Sequence, residues 1–244
     1  MPESERLDKL VSVSGEYSRA EAKKLIRGGA VTVDGAPVRA PEAKFDRARD
    51  IRVNGVPVDT AEFVYWMLHK PAGYVSASKD ELWPAVVNLL PEAARRRSVF
   101  CVGRLDADVT GLLVLTDDGT YAHRVASPKA EIPKTYEVHL DSPLKEEDAE
   151  RLSRGVVWSD GTAYRPASLE PMEGDPCAGF VTVTEGKYHE VKRLMAACGH
   201  TVVSMRRLSI GGLCLDASLP EGMARPMTAA EANLVFYKNV EATE

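Results

Sequence analysis

The hydrophobic positions near the N terminus predict a short amphipathic helix. In residues 18–29, SRAEAKKLIRGG, apolar side chains recur at the helical spacing on one face, and basic side chains recur every fourth residue on another. Ser18 and Glu21 form a capping-box pattern at the start, and Gly28-Gly29 favours termination. The apolar face consists of Ala22, Leu25 and Ile26, and the basic face of Arg19, Lys23 and Arg27.

Strands are predicted directly after this helix. Residues 31–38, VTVDGAPV, alternate apolar and polar positions around Asp34-Gly35, a pair that favours a tight hairpin. Residues 50–55, DIRVNG, add another strand-like piece. Together with the helix, these elements predict a small N-terminal domain over residues 1–58.

From residue 59 onwards the pattern changes to short apolar strands separated by helices. No regular β-α-β period is present, so a mixed, largely antiparallel α+β sheet is favoured over a doubly wound fold. We therefore predict a second domain over residues 59–244. Its strands are predicted near residues 64–68, 99–102, 112–115, 136–140, 180–184 and 202–208, and its helices at residues 83–90, 119–126, 145–154 and 189–198.

Composition and charge narrow the class of protein. The chain has 244 residues, of which 44% are hydrophobic, and no apolar run approaches the roughly 20 residues that span a bilayer. Because the N terminus is charged and lacks the apolar stretch of a secretory signal, we expect a cytoplasmic protein with no membrane partner. The net charge of −5 argues at first against nucleic-acid binding, but residues 1–60 carry a net charge of +1 and the remainder −6. The N-terminal part is therefore the less acidic one.

Four aspartates in GRLDADVTGLLVLTDDG, residues 103–119, allow three chemical interpretations. Asp106, Asp108 and Asp117 approach the ligand spacing of a calcium loop, but a buried strand is predicted where that loop would run. Two carboxylates at a set separation also suit a glycosidase, although nothing in the sequence fixes the geometry of Asp106 and Asp108. For Asp117 and Asp118 the simpler interpretation is that one of them caps the helix that begins near Gly119.

Asp106 lies in one of four motifs that occur together, and in the same order, in a known family. The chain resembles the pseudouridine synthases, in the branch of the RsuA-type rRNA enzymes. The motifs that carry this resemblance are Lys70-Pro71-Ala72-Gly73-Tyr74, then Gly103-Arg104-Leu105-Asp106 with Thr110-Gly111-Leu112-Leu113, then Lys134-Thr135-Tyr136-Glu137-Val138, and finally residues 185–195, EGKYHEVKRLM. The C-terminal segment IGGLCLDASLPEGMARPMT is also similar to that branch.

The N-terminal residues 5–55 resemble a second family, the S4 RNA-binding domain. This resemblance rests on ERLDKLV, SRAEAKKLIRGGAVTVDG and DIRVNG. It implies that four basic residues of the helix face RNA phosphates and contribute affinity and register, not base sequence. These residues are Arg19, Lys23, Lys24 and Arg27. From the helix alone, a solvated basic face is the alternative interpretation.

The resemblance to the synthases also implies roles for individual residues. Asp106 is implied as the catalytic carboxylate, and both attack on ribose C1′ and removal of a ribose proton remain open. Tyr136 is implied to stack on the uracil and to help remove its C5 proton. A carboxylate that is withdrawn from water needs a cation, which the motif at residues 185–195 supplies through Lys192, with Arg193 as the alternative. Substrate contacts are implied for Arg104, Arg193, Leu194 and Lys70.

The implied activity is isomerisation of one uridine in 16S rRNA to pseudouridine. The reaction cuts the C1′–N1 bond, turns the base and joins C1′ to C5, so the family's chemistry needs no cofactor and no metal. The base must first be flipped out of its helix, and Arg104 is implied to fill the vacated place, with a salt bridge to Asp108 as its alternative role. The expected partner is 16S rRNA or a 30S assembly intermediate, and the protein is expected to be a monomer.

Two other functions remain open at this point. Relatives in the same branch modify large-subunit rRNA, so a 23S rRNA target is the alternative within the enzyme class. An RNA-binding ribosome-assembly factor with a silent catalytic fold is the alternative from another class, although Asp106, Tyr136 and Lys192 are all present.

Overall fold

The computed structural model describes residues 4–237, which form two compact units. The first unit contains Met1–Val64 and Leu90–Val99, and the second contains Tyr65–Leu89 and Phe100–Glu244. The chain therefore enters the second unit and returns to the first before completing the second.

The division into domains 1–58 and 59–244 remains a prediction. The structure adds that residues 90–99, which the sequence assigns to the second domain, belong to the first compact unit. The outer ends of both predicted domains, residues 1–3 and 238–244, lie outside the described residues.

The first unit consists of short strands and three helices. Its strands are β1 (Glu5–Arg6), β2 (Val31–Val33), β3 (Ala36–Pro37), β4 (Lys44–Phe45), β5 (Ile51–Val53) and β6 (Val56–Pro57), and its helices are α1 (Leu7–Val13), α2 (Arg19–Gly28) and α3 (Glu92–Arg96). Strands β3, β2, β5 and β6 form one antiparallel sheet in that order, and β1 pairs with β4. Helices α1 and α2 pack on β2 and β5 around a core of Leu7, Leu10, Ile26, Val31 and Ile51.

The ends of α2 confirm the local signals in the sequence. The Ser18 side chain accepts from the Glu21 amide and the Glu21 carboxylate accepts from the Ser18 amide, which completes the capping box. Gly29 ends the helix in the left-handed conformation, with φ of 81°. In the predicted hairpin, Asp34 and Gly35 both have positive φ, as a two-residue hairpin turn requires.

The second unit is larger and is built on one sheet. Its strands are β7 (Tyr65–Lys70), β8 (Phe100–Val102), β9 (Thr110–Thr116), β10 (Lys134–Leu140), β11 (Val156–Val157), β12 (Ala163–Tyr164), β13 (Ser168–Met172), β14 (Asp175–Val183), β15 (Val202–Ile210), β16 (Leu213–Cys214) and β17 (Ala224–Met227). Its helices are α4 (Gly119–Ala126), α5 (Glu146–Ser153), α6 (Glu190–Ala197) and α7 (Ala229–Ala232), with short 3-10 helices at Val86–Leu89, Pro128–Ala130 and Asn233–Phe236.

The sheet has nine strands and confirms the predicted mixed, mostly antiparallel α+β class. Its main order is β13-β14-β10-β15-β9-β7-β17, with β16 added to β15 and β8 added to β9. Among the described strands, β9 and β15 form the one parallel pair of this sheet. The site described below lies where β8, β9, β10 and β15 approach one another.

Gly111 allows β9 and β15 to approach closely. Its φ is +106°, and a Cβ placed on it would lie 2.3 Å from the carbonyl oxygen of Arg207. Any side chain at this position would therefore push the two central strands apart. The loop that precedes β9 is brought to the edge of β15 by this contact.

One prediction about this unit is corrected by the structure. Of the helix predicted at residues 83–90, only Val86–Leu89 are helical, and they form a 3-10 helix, because residues 83–85 are irregular chain and Val86 and Val87 are buried. The buried strand predicted at residues 112–115 is confirmed by β9, Thr110–Thr116, which occupies the place where a calcium loop would need its ligands. The predicted cap is confirmed, since the Asp118 side chain accepts from the Tyr121 amide at 2.9 Å.

No helix within residues 4–237 combines the length and the apolar character needed to cross a bilayer.

Candidate functional site

Lys70, the last residue of β7, supports the loop that carries Asp106. The Lys70 ammonium donates hydrogen bonds to three main-chain carbonyls, at 2.9, 3.2 and 2.7 Å. These carbonyls belong to Pro71, Ala107 and Val109. Two of them lie in the loop itself, so Lys70 fixes the path of the chain on both sides of Asp108.

The segment after Lys70 adds further contacts to the same loop. The Gly73 amide donates to the Ala107 carbonyl at 2.8 Å. The Ser76 hydroxyl accepts from the Leu105 amide and donates to the Leu105 carbonyl, each at 2.9 Å. The first motif of the sequence is therefore the support on which the aspartate loop rests.

This arrangement corrects the prediction that Lys70 contacts the substrate. Its side chain is fully buried, and its three N–H donors are all directed at carbonyls. Burial lowers the pKa of Lys70 to about 8 although the charges of Asp108 and Asp106 oppose the shift, so the ammonium form still predominates at neutral pH. Lys70 is a positioning residue for the loop.

Asp106 faces two basic side chains from the start of α6. Its Oδ2 lies 3.3 Å from the Lys192 Nζ and 3.4 Å from the His189 Nε2. The Asp106 side chain is 34% exposed, so it is both paired and accessible. Between the two cations that the sequence offers as its partner, the structure places Lys192 against Asp106.

Lys192 is itself anchored by Asp108. Both carboxylate oxygens of Asp108 accept from the Lys192 Nζ at 2.8 Å. Burial acts to raise the pKa of Asp108, but the hydrogen bond and charge of Lys192 outweigh it and leave the pKa lowered. Burial likewise acts to lower the pKa of Lys192, yet the two aspartates hold it above its ordinary value. Lys192 therefore stays charged beside Asp106 across the neutral range.

The start of α6 is shaped by two residues that precede and open it. His189 adopts the left-handed conformation with φ of 51°, which is uncommon for a residue with a side chain and is found often at functional sites. Glu190 is buried and its carboxylate accepts from the Lys187 amide at 3.1 Å. Burial raises the pKa of Glu190. This turn directs His189 and Lys192 towards Asp106.

A cavity of about 320 Å³ lies beside Asp106, entirely within the second unit. Its volume falls in the range of small-molecule sites, roughly 300–1,000 Å³. Tyr136 on β10 lines it and is almost completely buried, and Arg104 is exposed at the same cavity. Lys134 and Arg207 also contribute to its wall. The cavity therefore combines a carboxylate, an aromatic ring and several cations.

The structure does not support the alternative role of Arg104, which is a salt bridge to Asp108. Among residues 4–237, Asp108 is paired with Lys192, and no ion pair joins Asp108 to Arg104. The Arg104 side chain remains exposed where it borders the cavity.

The two remaining predicted substrate contacts occupy different places. Arg193 lies at the surface beside an aromatic cluster, where its Nη1 donates to Asp160 at 3.1 Å and to the Tyr164 hydroxyl at 2.9 Å. Leu194 is fully buried in the core. The predicted substrate contact of Leu194 is corrected for this reason: its side chain lies on the inner face of α6 and packs against the sheet.

Several residues of the site are missed by the sequence analysis. His189 belongs to the motif at residues 185–195 but carries no assigned chemistry there, and Asp108 is considered only as a carboxylate of the rejected alternatives and as a partner of Arg104. Lys134 and Arg207 carry no signal of a cavity position, because only the pairing of β10 with β15 brings them together. Alternation along β10 could have placed Lys134 on the same face as Tyr136.

The basic residues of α2 divide into two pairs. Arg19 and Lys23 lie 3.4 and 3.9 Å from the buried carboxylate of Asp8, which also accepts from Arg6. Lys24 and Arg27 are exposed. The predicted phosphate-facing surface is thus present, but half of its charge is shared with Asp8.

Comparisons with known proteins match a family to residues of each unit. Residues 64–197, more than half of the chain, match the model of the family described as RNA pseudouridylate synthase. The chain belongs to the RNA pseudouridylate synthase family. Residues 5–46 match the S4 domain. This pseudouridylate synthase therefore carries an S4 RNA-binding domain at its N-terminal end, as the resemblance implied.

Similar proteins align with the synthase over nearly its whole length. The RNA pseudouridine synthase YtzG of Bacillus subtilis (strain 168) is 43% identical over 94% of this chain and 98% of its own. Ribosomal small subunit pseudouridine synthase A of Escherichia coli (strain K12) is 41% identical over 93% of this chain and 97% of its own. A solved structure of a pseudouridylate synthase superimposes with a TM-score of 0.67 and 35% identity, covering 94% of this chain and 99% of that one. The chain is an enzyme that isomerises uridine to pseudouridine in RNA.

Proposed function

We propose that this pseudouridine synthase modifies a uridine of 16S rRNA and that Asp106 is its catalytic carboxylate. The small-subunit target is supported by the similarity to ribosomal small subunit pseudouridine synthase A over nearly the full length of both chains. The site rests on one observation, the Asp106 carboxylate, which is accessible at a cavity and lies within 3.4 Å of two basic side chains.

The chemistry of the cavity suits the isomerisation of a base that has left its helix. Lys192 pairs with Asp106 and orients it while leaving part of the carboxylate open to a ribose C1′ or to a ribose proton. Tyr136 offers a ring against which the detached uracil stacks, an interaction worth about 1–3 kcal/mol per base. Arg104 lies exposed where the nucleotide would enter, in position to fill the gap that flipping leaves. Arg193, whose Nη1 donates to Asp160 and to the Tyr164 hydroxyl, is the proposed contact to the RNA outside the cavity.

The N-terminal domain, residues 1–58, acts in this proposal as an RNA handle. The exposed Lys24 and Arg27, with Arg19 and Lys23 beside them, present positive charge along one helix. Such charge contributes affinity without reading sequence. The partner is 16S rRNA or a 30S assembly intermediate, which places the enzyme in the cytoplasm. We propose that the protein acts as a monomer.

The experiment that tests the proposal is release of tritium from C5-labelled uridine. Unmodified 16S rRNA, 23S rRNA and a 30S assembly intermediate are each incubated with the wild type and with Asp106→Asn. The C5 hydrogen leaves only when C5 becomes the new point of attachment to the ribose. We expect release from 16S rRNA or the 30S intermediate with the wild type alone.

Each other outcome points to a defined alternative. Release from 23S rRNA only would keep the enzyme and reject its proposed target. Release by Asp106→Asn at the wild-type rate would reject the catalytic carboxylate. Tight RNA binding with no release from any substrate would favour an assembly factor without turnover.

A further inference from the structure

We infer that Arg207 is a further substrate-binding residue of this site and that it donates a hydrogen bond to a carbonyl oxygen of the target uracil. The inference deepens the proposed function, because it takes the cavity beside Asp106 as the uracil site. From the sequence, Arg206-Arg207 is only a short basic cluster, with RNA contact and solvated surface as equal interpretations.

The position of Arg207 in the sheet sets its direction. It lies on β15 between β9 and β10, with Gly111 as its partner on one side and Tyr136 on the other. Directly paired residues of an antiparallel ladder project their side chains from the same face of the sheet. Tyr136 lines the cavity, and Arg207 lines it beside Tyr136.

Arg207 is buried with part of its guanidinium unused. The residue is only 3% exposed, and its Nε donates to the Leu112 carbonyl at 2.8 Å. Its Nη2 is buried and has no hydrogen-bond partner within residues 4–237, and no carboxylate of that part of the chain forms an ion pair with it. A buried cation in this state is costly unless something supplies an acceptor. Arg207 is a lining residue of the cavity, so an acceptor bound there would lie next to its side chain.

The lysines around the cavity differ from Arg207 in this respect. The Lys134 Nζ donates to the carbonyls of Ile132 and Glu185 at 2.9 and 2.8 Å. Lys192 is engaged by the two aspartates of the loop. Their donors are committed to holding the protein chain, whereas the Arg207 Nη2 has no acceptor within residues 4–237.

The depth of Arg207 favours a base over a phosphate as its ligand. The phosphates of a flipped nucleotide stay with the RNA strand, where Arg104 and Lys187 are exposed at the cavity. A planar uracil that stacks on Tyr136 reaches further in and carries two acceptors, O2 and O4, on its edge. A guanidinium next to that ring is therefore matched to a uracil carbonyl.

The same contact serves the reaction. When the C1′–N1 bond breaks, its electron pair stays with the base, and the negative charge is shared by N1, O2 and O4. When C5 then bonds to C1′, the electron pair of the base enters the new bond, which neutralises the charge. C5 then loses its proton and N1 takes one up, so the number of protons on the base is unchanged. A fixed guanidinium at a carbonyl oxygen stabilises the charge between these events and transfers no proton itself.

The test is a cycle of protein and substrate substitutions. Transcripts of the rRNA that the wild type modifies are made with uridine, 2-thiouridine or 4-thiouridine throughout, and isomerisation is followed by chromatography of the nucleosides under single-turnover conditions. The proteins are the wild type, Arg207→Gln and the matched control Arg206→Gln. Arg206 is the neighbouring cation and pairs with Glu137 at 2.7 Å, and Glu137 is not a cavity residue. Melting temperature and RNA affinity are measured for each protein.

We expect Arg207→Gln to bind the uridine transcript within about twofold of the wild type and to react about 100-fold more slowly, as when one preorganised donor to a developing charge is removed. One of the two thio transcripts should react about tenfold more slowly than uridine with the wild type and with Arg206→Gln, because sulfur is the weaker acceptor. With Arg207→Gln this ratio should fall to about twofold or less, since the contact is already absent.

A full rate with Arg207→Gln, or thio-to-uridine ratios equal to those of the wild type for both transcripts, would overturn the inference. Should Arg207→Gln fail to fold, Arg207→Lys answers the same question: a changed ratio supports the contact, and unchanged ratios reject it. Asp106→Asn is run in parallel, because full activity of that variant rejects the proposed site, whereas unchanged ratios reject the Arg207 contact alone.

Discussion

The second unit contains two aspartates that are paired with basic side chains in opposite surroundings. Asp106 is 34% exposed and lies 3.3 Å from Lys192. Asp148 and His200 are 2% and 1% exposed and lie 2.8 Å apart. One pair borders a cavity, and the other is enclosed by the core beside α5 and α6.

The contacts around Asp148 show what an entirely structural pair requires. Its carboxylate also accepts from the Lys145 amide at 2.8 Å at the start of α5, and the second ring nitrogen of His200 lies 2.8 Å from the Ser142 hydroxyl. Every polar group there is committed to the protein chain. Asp106 differs because its partners leave part of the carboxylate open. In this unit we therefore expect a reactive carboxylate to be only partly paired, and a carboxylate that stabilises the fold to have all its hydrogen bonds within the protein.

The largest effect that separates the two aspartates is expected from Asp106→Asn. Turnover should fall by about 10⁴-fold or more, because the reactive carboxylate is lost with little change in shape. The melting temperature should change by no more than about 3 °C, since partly exposed ion pairs contribute about 1 kcal/mol or less. Tritium release and thermal unfolding are measured on the same preparation. Lost activity with an equally large loss of stability would show that Asp106 is structural too.

The opposite result is expected from Asp148→Ala. Removing one partner of a buried pair, together with the contact to the Lys145 amide, should lower the free energy of unfolding by about 3 kcal/mol. Turnover of the folded fraction at low temperature should stay within about threefold of the wild type. Urea unfolding at pH 7 gives the free energy, with the exposed Glu147→Ala in the same helix as control, expected within about 0.5 kcal/mol. A variant as stable as the wild type would remove Asp148 from the structural class.

The stability difference between Asp148→Ala and the wild type should also depend on pH. Burial acts to raise the pKa of Asp148, but the hydrogen bonds from the Lys145 amide and from His200 outweigh it, so the pKa is lower than in the unfolded chain. A carboxyl group with a lowered pKa stabilises the fold at pH values above its unfolded pKa of about 3.8, and this stabilisation is lost as pH falls through the folded value. The difference should be constant from pH 7 to 5 and shrink below about pH 4. A difference that grows on acidification would contradict this assignment.

Local signals in the sequence account for much of the fold. The capping residues Ser18 and Asp118 mark the starts of α2 and α4, and Asp34-Gly35 marks the hairpin, because each acts on neighbours within a few positions. Residues 83–90 are different, since a short apolar run is compatible with several conformations until tertiary packing selects one. Helix α3 is missed for the same reason.

The site is predictable from the sequence only in part. Its motifs point to Asp106, Tyr136 and Lys192. In the structure Asp106 and Tyr136 line one cavity, and the Lys192 Nζ lies 3.3 Å from Asp106. The motifs do not distinguish a lysine that contacts substrate from one that supports a loop, as with Lys70. Nor do they reveal that Arg207 is buried beside Tyr136, because that position follows from strand pairing between residues about 70 positions apart.

A smaller effect is expected from Asp108→Asn, which lies two residues from Asp106 in the same loop. Both oxygens of Asp108 hold Lys192, so the substitution should leave that ammonium less fixed and lower the turnover rate about tenfold. The Michaelis constant should change little, because Asp108 is not a cavity residue. Steady-state tritium release separates the two parameters. An effect as large as that of Asp106→Asn would show that the two carboxylates act as one unit.

The smallest effect concerns pairing in the first unit, where the buried Asp8 shares the charges of Arg19 and Lys23. No ion pair within residues 4–237 involves Lys24 or Arg27. The double variant Lys24→Gln/Arg27→Gln should weaken RNA binding several-fold at low salt. It should also reduce the slope of log affinity against log salt by about 1.5, because each phosphate contact contributes about 0.7–0.9. Arg19→Gln/Lys23→Gln should reduce the slope less and the melting temperature more, since it leaves the Asp8 carboxylate with fewer partners. Filter binding of 16S rRNA over a salt series measures both slopes. Equal slopes for the two double variants would mean that pairing with Asp8 does not remove a cation from the RNA surface.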